Sequence, residues 1–178
     1  MVRDLAGGGD FLTLRYNHDP YFNKPPLYFW LAQASVRIFG FSEFSARLPG
    51  AVFGALTLWA VLGFGRDLFG RWAGLAGAAL LLTNAMFLEN GSRHAGPDSL
   101  LLFLCVAALW AQWRGRRSGA ARYLAVVLCG LAFLAKSVAA LPLFVALMAL
   151  HFALGYWRDW RPATYARAAA LLVLVVLP

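Results

Sequence analysis

Apolar runs close to the length of a bilayer crossing recur along this 178-residue chain, separated by short clusters of charge. A helix needs about 20 mainly apolar residues to cross a hydrocarbon core of roughly 30 Å. Runs approaching that length cover 48–64, 72–88, 99–113, 123–135 and 138–157, and another opens at Ala168. Composition agrees, with 61% hydrophobic and 13% charged residues against about 45–50% and about 25% in soluble domains. The expected fold class is all-α, a polytopic transmembrane helix bundle.

The net charge of +8 would suit nucleic acid if the basic residues formed one patch on a soluble fold. They fall instead between the apolar runs, the pattern that membrane topology imposes. One set of alternate loops carries Arg66 and Arg71, then Arg114, Arg116, Arg117 and Arg122, then Arg158, Arg161 and Arg167. The opposite connections carry only Arg93 and Lys136. The positive-inside rule assigns the first set to the cytoplasm. Helix alternation then puts 1–47, the loop 89–98 and the turn at 136–137 on the outer face.

Two parts follow: an outer loop, 1–47, with interfacial helices, and a transmembrane bundle, 48–178. The run 27–40 is too short to cross, and Gln33 and Arg37 interrupt it. It is expected to lie at the interface, with Tyr28, Phe29 and Trp30 near the headgroups. Ser42 is placed to cap a second short helix leading to Pro49. Small residues four apart, Gly50 with Gly54 and Gly70 with Gly74, permit close helix approach. Cys105 and Cys129 sit inside apolar runs without metal-ligand spacing and read as small buried hydrophobes.

Three polar clusters share the expected outer face. The first, residues 8–30, centres on Tyr21-Phe22-Asn23-Lys24-Pro25-Pro26. The paired prolines stiffen the backbone and hold Lys24 in an extended stretch. A fixed ammonium there suits a lipid phosphate; a snorkelling anchor lysine is the structural alternative. The second cluster, 89–99, carries Glu89, Arg93, His94 and Asp98. Asp98 is a candidate catalytic carboxylate and equally a helix N-cap. His94 has no second histidine nearby, so the residues call for no metal site. The third cluster surrounds Lys136, at the end of a run spanning only about 20 Å. An ionisable residue at that depth is a functional candidate or the snorkelling tip of a hairpin.

The string GDFLTLRYNHDPYFNKPPLYFWLAQASVRIFGFSEFSARLPGAVFG resembles the first outer loop of the aminoarabinose transferase and protein O-mannosyltransferase superfamily. The resemblance continues through GRDLFGR, SRHAGPDSLLLF and GLAFLAKS, in order and with family-like spacing. These are glycosyltransferases of the GT-C fold that use polyprenyl-phosphate-linked sugars. The resemblance implies attack of an acceptor hydroxyl on the anomeric carbon with inversion, and departure of the lipid phosphate. Lys24 matches the phosphate-contacting lysine of the family's Lys-Pro-Pro motif, and Arg93 and Lys136 fall at family-like basic positions. Asp98 matches a second-loop aspartate near the same site. Asp10, Tyr21, Pro25 and Pro26 support the motif.

The implied partners are a polyprenyl-phosphate sugar donor, a lipid or glycan acceptor and the bilayer, with no nucleic acid. The implied location is the cytoplasmic (inner) membrane, with the active face periplasmic. Family members often have a glutamate where this chain has Asn23, so the divalent metal of some members is not expected here. They also carry an earlier transmembrane helix and an acidic motif, which nothing before Gly9 supplies. The chain is therefore expected to be the N-terminal part of a transmembrane domain without its first helix, and inactive alone. Two other functions fit less well: a protein O-glycosyltransferase, and a non-catalytic lipid-sugar carrier or transporter module. A transporter favours broken helices with polar groups at the midplane, whereas the polar clusters here gather at one interface.

Overall fold

The computed structural model describes residues 15–16, 19–20, 25–89 and 96–177. Helices dominate: α1 (Leu27–Phe39), α2 (Glu43–Phe69), α3 (Arg71–Thr83), α4 (Ala85–Leu88), α5 (Asp98–Arg114), α6 (Gly119–Lys136), α7 (Leu141–Ala153) and α8 (Pro162–Val176). Short 3-10 turns cover Ser137–Ala140 and Tyr156–Arg158. A two-residue antiparallel ladder, β1 (Arg15–Tyr16) with β2 (Asp19–Pro20), pairs Arg15 with Pro20 and Tyr16 with Asp19. Patterning gave no sign of this ladder. The chain divides into two compact units, Met1–Phe103 and Leu104–Pro178.

In the first unit, Ser42 caps a helix as expected. Its backbone is extended, its Oγ accepts from Ser45 N at 3.1 Å, and Ser45 Oγ accepts from Ser42 N at 3.0 Å. This reciprocal box satisfies two otherwise orphaned donors. The helix does not stop at Pro49, however. It runs on to Phe69, 27 residues in all, about 40 Å at the standard rise. Proline supplies no N–H, so the carbonyl four residues back loses its helical partner. That carbonyl belongs to Ser45, and Ser35 Oγ on α1 donates to it at 2.7 Å. A side chain from the neighbouring helix thus repairs the gap, and the breaker becomes tolerable.

Helix α1 has its expected length but not its expected surroundings. Tyr28 and Phe29 are 2% and 8% exposed, and Ala32, Gln33, Ser35 and Val36 complete the same buried face. These positions repeat at helical spacing, and the face rests on α2. Tyr28 and Phe29 therefore belong to the interior of this unit and not to a headgroup belt.

Helices α2 and α3 form a tight antiparallel hairpin around Gly70, which turns at φ 96°. A Cβ on Gly65 would lie 2.8 Å from the Gly74 Cα, and one on Gly74 would strike the Leu62 carbonyl oxygen. Gly74 thus serves close packing as the spacing suggested, while Gly70 serves the turn. The apolar run 72–88 is not one helix. Asn84 is extended and its side chain accepts from Phe87 N at 3.0 Å, so it ends α3 and caps α4. Asparagine competes in this way with the helical ladder.

In the second unit, α6 begins before Arg122 and spans 18 residues, about 27 Å, so Lys136 lies further along a longer helix than the apolar run alone indicated. The chain turns at Ser137–Ala140 into α7, and again at Gly155, where φ is 73°. Helix α8 packs against α6, where a Cβ on Gly130 would lie 2.8 Å from a Val175 methyl. The expected run 138–157 is thus a 3-10 turn, α7 and a second turn.

Among the described residues, two helical stretches are long and apolar enough to cross a membrane, Glu43–Phe69 and Gly119–Ala153. Only 33% and 39% of their apolar windows are buried, whereas the core helix of a soluble protein hides most of its surface. Val52, Trp59, Phe133 and Val145 are among the large apolar side chains left exposed along them. Lipid is the solvent that this surface fits.

Ser35→Ala should lower stability by about 1–3 kcal/mol, the usual result of orphaning a buried carbonyl. In a Pro49→Ala background, where residue 49 regains its N–H, the same substitution should cost less. Thermal unfolding of the four variants in detergent reads the coupling. Equal losses in both backgrounds would show that Ser35 does not serve the proline gap.

Candidate donor-binding site

Lys24, Arg93, Asp10 and Tyr21 lie outside the described residues. Pro25, Pro26, Asp98 and Lys136 lie within them. Pro26 opens α1, its carbonyl accepting from Trp30 N at 3.0 Å. The Lys-Pro-Pro motif therefore leads without a spacer into a helix whose inner face is anchored on α2.

Asp98 begins α5 and is exposed. The Pro97 carbonyl accepts the first helical bond, from Leu101 N at 2.9 Å. Pro97 thus occupies the cap position, and Asp98 sits in the first turn. There its carboxylate faces the positive end of the helix dipole. Ser99 beside it is fully buried, and its hydroxyl has no hydrogen-bond partner among the described residues. Lys136 is exposed at the C-terminal end of α6 in the second unit, where a cation complements the dipole. Asp98 and the two prolines belong to the first unit.

The first unit also buries polar groups that the pattern did not single out. Tyr28 is 2% exposed, and its hydroxyl is without a hydrogen-bond partner among the described residues. Burial pushes its pKa up to about 12, so it stays a neutral donor. Gln33, read as an interruption of an apolar run, is 2% exposed. Tyr28 follows the paired prolines closely, and that proximity was the available signal; burial itself was not legible.

A second cluster lies in the Leu104–Pro178 unit. Arg122 Nε donates to the Gly115 carbonyl at 2.8 Å, and its guanidinium lies 4.1 Å from the centre of the Tyr156 ring and 3.7 Å from Asp159. Tyr156, 3% exposed, donates its hydroxyl to the Gln112 carbonyl at 3.0 Å. Burial raises the Tyr156 pKa, with Arg122 and Arg116 pulling it back. His151 packs edge-on against Trp160 at 4.9 Å, and its Nε2 pairs with the Tyr165 hydroxyl at 3.1 Å. These rings close one end of an apolar cavity of about 250 Å³ between α6, α7 and α8. Cys129 is buried on the cavity wall and Cys105 is half-buried, both as free thiols. Among the described residues no three His, Cys, Asp or Glu side chains are grouped to hold a metal ion.

Residues 23–178 match the family described as dolichyl-phosphate-mannose-protein mannosyltransferase, and the chain belongs to that family. It is 31% identical over 152 residues to undecaprenyl phosphate-alpha-4-amino-4-deoxy-L-arabinose arabinosyl transferase 2 of Sodalis glossinidius, covering 79% of this chain and 27% of that protein. The transferase of the same name from Pseudomonas paraeruginosa is 30% identical over 96% of this chain and 32% of its own length. Crystal structures of ArnT from Cupriavidus metallidurans, apo and bound to undecaprenyl phosphate, align with 99% of this chain and 34% of theirs. Their TM-scores are 0.80 and 0.79, at 28% and 27% identity. The chain thus spans about a third of the length of these relatives. The expected membrane GT-C relationship holds.

Arg122→Ala should destabilise the second unit by about 2–4 kcal/mol, since it removes a buried hydrogen bond and a ring contact together. Asp159→Asn should cost well under about 1 kcal/mol, because the aspartate is exposed and screened. Comparable losses, read by thermal unfolding in detergent, would make the ion pair the dominant element of the clasp.

Proposed function

We propose that the protein is an inverting membrane glycosyltransferase that moves a sugar from a polyprenyl-phosphate donor to a lipid or glycan acceptor. The observation that carries this reading is the fold shared with ArnT, a protein solved with undecaprenyl phosphate bound. We place the chemistry on the outer, periplasmic face of the cytoplasmic membrane. Residues 1–47 then form the outer segment, and 48–178 form the multi-pass bundle.

Lys24, one residue ahead of a proline pair fused to an anchored helix, is the cation on the donor phosphate. Arg93 is a further candidate for that phosphate and Lys136 a further candidate cation, with Asp10 and Tyr21 supporting the motif. Asp98 accepts the proton of the acceptor hydroxyl while the hydroxyl oxygen of the acceptor bonds to the anomeric carbon. The carbon–oxygen bond to phosphate breaks, and polyprenyl phosphate leaves with the electron pair. Charge on that phosphate grows toward the transition state, so fixed cations lower the barrier rather than merely tightening binding.

A protein hydroxyl as acceptor is the second reading, favoured by the description of the family that the chain matches. Lipid, glycan and peptide acceptors offered to one membrane preparation separate the two.

In a full-length version of the protein, Lys24→Ala should lower kcat by about 10²–10³-fold, the equivalent of losing one electrostatic donor. Lys24→Arg should recover little, because a planar guanidinium does not reproduce a compact ammonium. Radiolabelled sugar transfer from a polyprenyl-phosphate donor in membranes measures both. Near-normal turnover by Lys24→Ala would reassign the lysine to interface anchoring.

A further inference from the structure

We infer that the arginine-bearing end of the Leu104–Pro178 unit is a binding surface for the phosphates of anionic phospholipid headgroups. Its geometry starts from Arg122. By bonding Gly115 and covering Tyr156 and Asp159, Arg122 draws the turn between α5 and α6 to the turn between α7 and α8. Arg116 and Arg117 on the first turn and Arg158 and Arg161 on the second therefore share one end of the unit, and all four are exposed.

Charge at this end is unbalanced. Residues 104–178 contain seven arginines and one lysine against a single acid, Asp159, and Asp159 is taken up by Arg122. Two of the arginines sit over tryptophan rings, Arg116 over Trp113 at 4.8 Å and Arg158 over Trp157 at 5.2 Å. A stacked guanidinium keeps its N–H edge free for an anion, and that edge matches two phosphate oxygens at once. The surface also sits where apolar helices end: α5 at Arg114, α7 at Ala153. Indoles prefer that depth, and lipid phosphates occupy it.

Topology alone would be served by lysine or arginine, yet every basic residue in these two turns is arginine. Clusters of four or more cations beside a membrane span attract anionic lipid, each adding to the affinity. The occupant is therefore a phosphodiester headgroup carrying net negative charge, held by several arginines and flanked by indoles. This surface takes no part in the proposed transfer chemistry.

The test reconstitutes the purified protein in phosphatidylcholine nanodiscs carrying traces of spin-labelled phosphatidylglycerol or spin-labelled phosphatidylcholine. The protein-associated fraction of each label is then compared. The native protein should favour phosphatidylglycerol about fivefold or more. The quadruple variant Arg116→Gln, Arg117→Gln, Arg158→Gln, Arg161→Gln should lose the preference, and the corresponding quadruple lysine variant should keep only part of it. Retained preference in the glutamine variant, or none in the native protein, overturns the proposal. So does a preference that inorganic phosphate abolishes at fixed ionic strength, since that would make the surface a site for the free ion.

Discussion

A backbone N–H or carbonyl buried away from water must find a partner, so every break in a buried helix has to be answered by another protein group. The first unit shows how strictly this applies. Pro49 removes one donor from α2, and Ser35 on α1 supplies the replacement to Ser45. That bond joins the buried face of α1 in holding it against α2, and so in positioning the backbone that follows the Lys-Pro-Pro motif. Asn84 answers the same constraint differently, turning its own side chain onto Phe87 N where the helix parts. In the second unit, Arg122 and Tyr156 satisfy the Gly115 and Gln112 carbonyls at a helix end.

Much of the architecture was legible because lipid imposes a simple rule on sequence. Long apolar runs marked the helices, and the Ser42 cap and the Gly74 contact followed from local chemistry. The failures have a common cause. Pro49 was read as a helix end and 72–88 as one unbroken apolar run, and what decided each case was whether a partner group could reach the gap. Ser35 lies on another helix, so no window around Pro49 contains the answer. Tyr28 misled for a related reason: an aromatic residue beside a polar motif resembles a headgroup anchor, and only the packing of α1 on α2 shows it to be interior. The candidate site was named from sequence through Lys24, Arg93 and Asp98 as residue types. Of these the described structure adds local geometry for Asp98, which proves to be a first-turn residue and not the cap.

The two units carry different polar chemistry. The first holds an exposed aspartate at a helix start and buried hydroxyls on Tyr28 and Ser99. The other holds stacked arginines with almost no acid. A transferase working on a lipid-linked sugar needs the first kind, with cations at a phosphate and a carboxylate within reach of an alcohol. A protein held at fixed depth in a charged leaflet needs the second.

Orientation is therefore the claim on which the functional account turns. Replacing Cys105 and Cys129, introducing single cysteines at Ser92 and Ser118, and labelling intact cells with a membrane-impermeant maleimide tests it directly. The account expects position 92 to react from outside and position 118 to react only after the membrane is opened. Labelling of position 118 in intact cells would put the arginine end outside and contradict the assignment of donor chemistry to the opposite face.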